Sequence, residues 1–181
     1  LRQFGQCLYF GSMHPPGSGS QGIQQEYDEV QLINTNDDEI VEKAYRSLAV
    51  FRICPAESLD VELLYGEETL PVYTPGEGWS DQPNGLGSPK YGQLADRAQN
   101  YFWSMGFLMN GDLCFGTQET SENDNFQPDE RGADLWCFED TKSAAYAFDK
   151  AGLGNPYNSG YRNMVKVNDS LYLATSNGAN L

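Results

Sequence analysis

Positive charge and histidine are scarce in this 181-residue sequence. It has 11 lysine and arginine residues against 26 aspartate and glutamate residues, so its formal net charge is -15. A strongly negative surface repels phosphate backbones, and we therefore expect no nucleic-acid partner. The one histidine, His14, precedes two prolines in a loop-like segment. A Ser-His-Asp triad would depend entirely on this residue, so the sequence does not favour that chemistry.

Long apolar runs and common cofactor motifs are also missing. No segment approaches the roughly 20 apolar residues of a membrane-spanning helix, so we expect no membrane span. No cysteine pair has the spacing of a zinc site, and no Gly-Lys-Ser/Thr loop could hold a phosphate. The sequence therefore predicts no catalytic residues and no cofactor, apart from the calcium candidates described below.

A short phrase occurs three times along the chain. Leu8-Tyr9-Phe10-Gly11-Ser12 returns as Leu113-Cys114-Phe115-Gly116-Thr117 and again as Leu171-Tyr172-Leu173-Ala174-Thr175. A tight polar turn precedes the second and third copies, and an apolar run precedes each turn. This order predicts three β-hairpins, because Asn-Gly and similar turns between apolar runs favour them.

Further β-prone runs follow the first two hairpins. Residues 133–140 and 145–149 follow the second copy, and residues 49–54 and 59–65 follow the first after a longer insertion. Each complete unit is therefore predicted to be an antiparallel sheet of four strands.

Four-stranded antiparallel units repeated in series are typical of β-propeller blades. The phrase around Gly11 and Gly116, followed by the Leu135-Trp136 strand, resembles bacterial-type propellers whose blades carry Leu-Tyr-x-Gly-Thr and Leu-Trp strands. The resemblance implies an all-β partial propeller with one short helix in an insertion. The alternative is a β-sandwich whose strands are similar by chance.

The predicted organisation is a single propeller fragment over residues 1–181. Blade 1 covers about residues 1–75 with insertions, a connecting insertion covers 72–100, blade 2 covers 101–150, and a third blade starts at about 160–181. Closed propellers have typically 4–8 blades. We therefore expect the missing blades from a longer chain or from neighbouring subunits.

The four cysteines follow one strand register. When the first unit is aligned on the second, facing positions of the second and third strands pair Cys7 with Cys54 and Cys114 with Cys137. Facing residues have Cβ atoms about 4.5–5.5 Å apart, close to disulfide geometry. Two disulfides would indicate an oxidising compartment, and hence a secreted or cell-surface protein. The alternative is four unrelated buried thiols.

Two insertions carry further predictions. Residues 37–48 have the pattern of an amphipathic helix that covers the edge of a blade or binds a partner. The second insertion is rich in Pro, Gly and aromatic residues. Its Tyr73, Trp79 and Tyr91 could form a stacking platform for a sugar, or could pack locally. A short helix is predicted around residues 93–100.

Two other groups of residues are candidates for binding. Trp103 and Arg162 fall on the predicted innermost strands, where they would line the central channel of a propeller or pack between blades. The acidic stretch 122–130 offers Asp124, Asp129 and Glu130 as oxygen ligands for calcium, although it lacks the spacing of a known calcium loop. A solvated acidic loop is the alternative.

Three functions are compatible with these patterns. The preferred one is an extracellular, non-enzymatic module that binds a protein or a glycan. The second is a fragment of a secreted hydrolase or lyase that acts on polysaccharide. The third is a subunit of a surface filament, in which neighbouring chains complete the unpaired edges.

Overall fold

A computed structural model of the chain describes residues 1–14, 22, 23, 26, 37–94, 97–120 and 131–177. These residues form a mainly β structure with three antiparallel sheets, none of which is closed. The all-β class predicted from the sequence is therefore confirmed. No helix in these ranges has the length and hydropathy needed to cross a membrane.

The first sheet is an antiparallel meander of four strands. They are β1 (Arg2–Phe4), β2 (Cys7–Gly11), β3 (Val50–Ile53) and β4 (Glu62–Tyr65), in the spatial order β1-β2-β3-β4. Alternation along β2 and β3 turns one set of side chains towards the interior. This sheet is the first predicted unit, with its strands in the predicted order.

The insertion between β2 and β3 contains the helix α1 (Asp37–Ala44), which is shorter than predicted. The apolar pattern continues to Leu48, but the backbone N–H groups of Ser47 and Leu48 take partners outside the helix. Ser47 N–H donates to a Glu67 carboxylate oxygen and Leu48 N–H donates to the Gln99 carbonyl. These bonds replace helical ones, so Leu48 reaches the core from an extended segment.

The second insertion contains a hairpin that was not predicted from the sequence. Its strands are β5 (Thr69–Thr74) and β6 (Gly78–Pro83), and they form a separate two-stranded sheet. The helix expected around residues 93–100 is wrong over its described part. Gln99 and Asn100 begin the next strand, and the Asn100 carbonyl accepts the His14 N–H.

The second sheet contains the second predicted unit and the third hairpin. Its order is β10-β9-β8-β11-β12, and β7 also pairs with β8. The strands are β7 (Gln99–Phe107), β8 (Leu113–Glu119), β9 (Leu135–Phe138), β10 (Tyr146–Asp149), β11 (Asn158–Val167) and β12 (Ser170–Asn177). The strand β11 joins β8 through one residue pair, Gly160 with Gln118.

Both predicted disulfides are present. Cys7 is bonded to Cys54 with a Cα–Cα distance of 4.1 Å, and Cys114 is bonded to Cys137 with a distance of 4.0 Å. Cys114 faces Cys137 directly in the β8–β9 ladder. Each bond therefore joins the second strand of its unit to the third, as the common register predicted.

The β7–β8 and β11–β12 hairpins share their irregularities. In both, two residues of the first strand are left out of the ladder, at equivalent positions. They are Asn100 and Trp103 in the first hairpin, and Ser159 and Arg162 in the second. Such bulges bend a strand and redirect its side chains. The strands β7 and β11 are therefore bent at equivalent positions.

The contacts between successive units are also repeated. A Cβ atom on Gly11 would lie 2.1 Å from the Phe102 ring, and one on Gly116 would lie 2.4 Å from the Tyr161 Cβ. Neither glycine has a positive φ, so it is this close approach that excludes a side chain. Met13 pairs with Tyr101 as Gln118 pairs with Gly160.

The core formed by the described residues consists of two clusters, one on each side of the second unit. The larger cluster joins the first sheet to one face of β7–β9, and it includes Tyr9, Leu64, Phe115 and Phe138. The smaller cluster joins the opposite face, around Cys114, to the third hairpin. The second unit therefore has both of its faces buried.

Candidate functional site

Three side chains from β7 and β11 come together at the edge of the second sheet. Trp103 and Arg162 occupy the two equivalent bulges, and the Arg162 guanidinium lies 5.6 Å from the centre of the Trp103 ring. The Tyr101 ring centre is 6.2 Å from that of Trp103. We call Tyr101, Trp103 and Arg162 the edge cluster.

The backbone explains why the Trp103 ring lies across the neighbouring strand. A Cβ atom on Gly160 would be 2.1 Å from this ring, so only glycine leaves room for it. Trp103 is partly exposed and Arg162 is exposed. The edge cluster therefore offers aromatic surface beside a cation, which suits a planar or sugar-like ligand.

The predicted aromatic platform is divided between two places. Tyr73 and Trp79 face each other across β5 and β6, with ring centres 5.3 Å apart. Tyr91 instead packs against Tyr65 at 5.5 Å, and its hydroxyl donates to the Lys142 carbonyl at 2.6 Å. Tyr73 is buried, so Trp79 is the more accessible ring of the hairpin pair.

A charged cleft of about 480 Å³ was not predicted from the sequence. Buried Arg52 pairs with Glu62 and also donates to the Thr141 carbonyl, while Lys90 Nζ lies 3.0 Å from Glu62. Burial alone would raise the pKa of Glu62, but hydrogen bonds from Lys90 and Arg52 outweigh it and lower that pKa. Glu62 therefore stays ionised and forms an ion pair with each of the two cations, which leaves this group of three with a net charge of +1.

A second cleft of about 330 Å³ is lined by Glu67 and Arg97. Glu67 Oε1 accepts hydrogen bonds of 3.1 Å from Ser47 N–H and from Arg97 Nε. Its side chain is only 4% exposed, and Oε2 has no hydrogen-bond partner among the described residues. A buried acceptor without a donor is unfavourable. The Glu67 side of this cleft would therefore favour a hydroxyl group or a water molecule that donates a hydrogen bond to Oε2.

His14 contacts the hydroxyl group of Ser12. Its Nε2 lies 2.8 Å from Ser12 Oγ, and the same Oγ accepts the Ala49 N–H at 2.8 Å. Burial lowers the pKa of His14, and the nearby cation Arg46 lowers it further. The contact lies at the junction between β2 and β7, because the Ser12 N–H donates to the Ala49 carbonyl and the His14 N–H donates to the Asn100 carbonyl.

The acidic candidates for calcium, Asp124, Asp129 and Glu130, lie outside the described residues. Within the ranges that the structure does describe, no group of three His, Cys, Asp or Glu side chains is arranged to hold a metal ion.

Two tyrosines, partly buried Tyr146 on β10 and buried Tyr161 on β11, donate hydrogen bonds to carboxylates. Tyr146 donates to Asp112 at 2.6 Å, and Tyr161 donates to Asp149 at 3.1 Å. Burial and the hydrogen bond to Asp112 raise the pKa of Tyr146 to about 12. Burial and Asp149 likewise raise the pKa of Tyr161. These pairs serve the fold, because they satisfy hydroxyl groups inside or beside the smaller core cluster.

Comparison with protein-family models, with curated proteins and with solved structures finds no match to this chain.

Proposed function

We propose that this chain is part of an extracellular β-propeller that binds a neutral glycan through the edge cluster and catalyses no reaction itself. In this arrangement the first sheet and the second unit are two successive blades, and the third hairpin begins another. The edge cluster then lies on innermost strands, which line the channel of a propeller.

The observation that carries the proposal is the repeated contact between units. Gly11 receives Phe102 as Gly116 receives Tyr161, and the pairs beside them match as well. Blades in series require each unit to contact the next in the same way, and this contact is present twice here. The contact between the second unit and the third hairpin also places the bulges of Trp103 and Arg162 next to each other.

The compartment and the ligand class follow from other features. Two disulfides are typical of proteins from oxidising compartments. A formal net charge of -15 disfavours anionic ligands. An aromatic ring that packs on the apolar face of a neutral sugar avoids this repulsion, and Arg162 can donate hydrogen bonds to hydroxyl groups.

The test is a calorimetric titration with two neutral probes, cellohexaose and laminarihexaose. We expect at least one probe to bind, and Trp103→Ala to weaken its binding by about tenfold or more, since stacking contributes about 1–3 kcal/mol per ring in comparable aromatic platforms. Trp79→Ala is the matched control and should leave the affinity unchanged.

Other results would contradict the proposal in distinct ways. Loss of binding in Trp79→Ala alone would move the site to the β5–β6 hairpin. Absence of binding for both probes would remove the glycan as ligand. Release of new reducing ends from either probe would instead indicate a glycoside-cleaving enzyme.

A further inference from the structure

The two disulfides of the chain differ in how deeply they are buried. Cys114 and Cys137 are both 0% exposed. Cys7 is 4% exposed, but its partner Cys54 is only partly buried. A thiolate must reach one of the two sulfur atoms before it can open a disulfide, so burial protects such a bond. The Cys7–Cys54 bond is therefore the more accessible of the two.

The two bonds also differ in their position along the strand ladders. Cys114 and Cys137 face each other inside the β8–β9 ladder, with further residue pairs on both sides. The β2–β3 ladder ends at the pair of Leu8 with Ile53, so the Cys7–Cys54 bond lies one position beyond its end. The end of a ladder opens more readily than its interior. Local opening would therefore expose the Cys7–Cys54 bond first.

A path from solvent leads to Cys54. This residue lines the charged cleft of about 480 Å³, together with Arg52, Val61 and Lys90. The residues that follow it, 55–61, are all exposed, and they belong to the continuously described range 37–94. A cleft of this volume is large enough to admit a small thiol.

The charge of the cleft indicates which thiols would enter it. Its lining contains two cations and three carboxylates, a formal sum of -1, and they are Arg52, Lys90, Glu57, Asp60 and Glu62. The whole chain has a formal net charge of -15. A neutral thiol avoids this negative field, whereas an anionic thiol is repelled by it.

We propose that Cys54 Sγ is a site of thiol–disulfide exchange, at which a small neutral dithiol reduces the Cys7–Cys54 bond in the folded chain. The inference goes beyond the proposed glycan binding and does not depend on it. Accessible disulfides are the ones that exchange readily, whereas buried structural disulfides resist reduction. One chain thus carries one bond of each kind.

The exchange proceeds in two balanced steps. A thiolate of the dithiol attacks Cys54 Sγ, the bond to Cys7 breaks, and Cys7 Sγ leaves with the electron pair and is protonated from solvent. The second thiol of the reagent then attacks the mixed disulfide and releases Cys54 as a thiol. The protein gains two electrons and two protons, and the dithiol becomes a cyclic disulfide.

Reduction would change the chain locally. The Cys54 carbonyl accepts the N–H groups of Glu57 and Ser58 at 2.8 and 2.9 Å, so the exposed turn after β3 is attached to this cysteine. Opening the bond releases the turn and the adjoining wall of the cleft. The Cys114–Cys137 bond still links β8 to β9, so the second unit should remain folded.

The experiment follows reduction of the folded chain by dithiothreitol without denaturant. Samples are quenched with acid, alkylated with N-ethylmaleimide and digested for peptide mass spectrometry. Cys7 and Cys54 should be alkylated first, at least about tenfold faster than the buried pair. Near-ultraviolet circular dichroism should show that the intermediate with two thiols keeps its packed core. In urea that unfolds the chain, the two bonds should be reduced at rates within about threefold of each other.

Two further measurements test the site itself. Val61→Trp narrows the cleft and should slow reduction of the Cys7–Cys54 bond by about threefold or more, because access limits the exchange. Leu59→Trp is the matched control, since Leu59 is 80% exposed and does not line the cleft. With the monothiol 2-mercaptoethanol, rapid acid quenching should trap the mixed disulfide on Cys54 and not on Cys7.

Four results would overturn the inference. They are equal rates for the two bonds in the folded chain, simultaneous reduction of both bonds without an intermediate, equal slowing in Leu59→Trp, and a mixed disulfide trapped on Cys7. None of these measurements involves a glycan or the edge cluster. Failure of the exchange is therefore distinguishable from failure of the proposed function.

Discussion

The β7–β8 hairpin is covered on both faces, whereas the β11–β12 hairpin is covered on one. The two hairpins have the same register and the same two bulges. Yet all but one residue of β8 is buried, and every residue of β12 is at least partly exposed. Burial is therefore decided by what packs on each hairpin, since the hairpin geometry itself is the same.

The difference also shows in the residues at equivalent positions. Where the covered hairpin has Cys114 and Gly116, the other has Tyr172 and Ala174. The covered face needs small or cross-linked residues because another strand pair lies directly on it. The open face tolerates bulk, so substitutions there should have little effect on the stability of a single molecule.

The largest effect should follow from removing the disulfide of the covered unit. The variant Cys114→Ala with Cys137→Ala opens a link between residues 23 positions apart. The chain-entropy relation predicts a loss of roughly 3–4 kcal/mol in the free energy of unfolding. Urea denaturation measures this loss. A loss below about 1 kcal/mol would mean that packing alone holds β8 on β9.

A smaller effect is expected from a matched pair of substitutions to valine. In Gly116→Val the new side chain meets Tyr161 and should cost about 1–3 kcal/mol by overpacking. In Ala174→Val the equivalent site is exposed, so the change should stay within about 0.5 kcal/mol. Urea denaturation of both variants measures the two losses in the free energy of unfolding. Equal losses would show that the faces carrying Gly116 and Ala174 do not differ in how they are covered.

A third pair compares two tyrosines. Tyr161→Phe removes the hydrogen bond to Asp149 inside the covered contact and should cost about 1 kcal/mol. Tyr172→Phe changes an exposed side chain and should have almost no effect on thermal unfolding. If Tyr161→Phe left the melting temperature unchanged, the hydroxyl would not contribute to holding the third hairpin.

The smallest effect is a pH dependence at the junction of β2 and β7. Burial and Arg46 lower the pKa of His14, so below about pH 6.5 the unfolded chain binds a proton that the folded chain resists. Stability is therefore complete above this pH and decreases as the pH falls through the folded value. Denaturation between about pH 5 and 7 should show this slope in the wild type.

His14→Gln provides the control, because the chain contains no other histidine. Its stability should be nearly flat over the same interval. The lowered pKa of Glu62 acts only at more acidic values, so the two contributions are separable. A slope that persists in His14→Gln would assign the effect to another group.

Local chemistry made part of the structure predictable. Turn residues between apolar runs predicted the second and third hairpins, and strand alternation predicted the disulfide register. The helix of the first insertion was predicted too long, because its apolar pattern continues to Leu48. Hydrogen bonds to Glu67 and Gln99, which are distant in sequence, end the helix at Ala44 instead.

The candidate site was predictable only in part. Aromatic and cationic residues on predicted strands identified Trp103 and Arg162, but their contact depends on two matching bulges and on Gly160. The clefts around Glu62 and Glu67 combine residues from separate segments, and no local pattern indicated them. Thr74-Pro75-Gly76 between two β-prone runs was the local signal for the missed β5–β6 hairpin.

By itself the sequence determined the strands of the two four-stranded units and of the third hairpin, together with the facing cysteines and the acidic surface. Each of these depends on neighbours along the chain or on a simple sum of charges. Only the tertiary structure decided which faces are covered, where α1 ends and which rings meet. These features depend on close approach between segments that are far apart in sequence. The structural role of a glycine or a bulge can therefore be assigned only when its spatial neighbour is known.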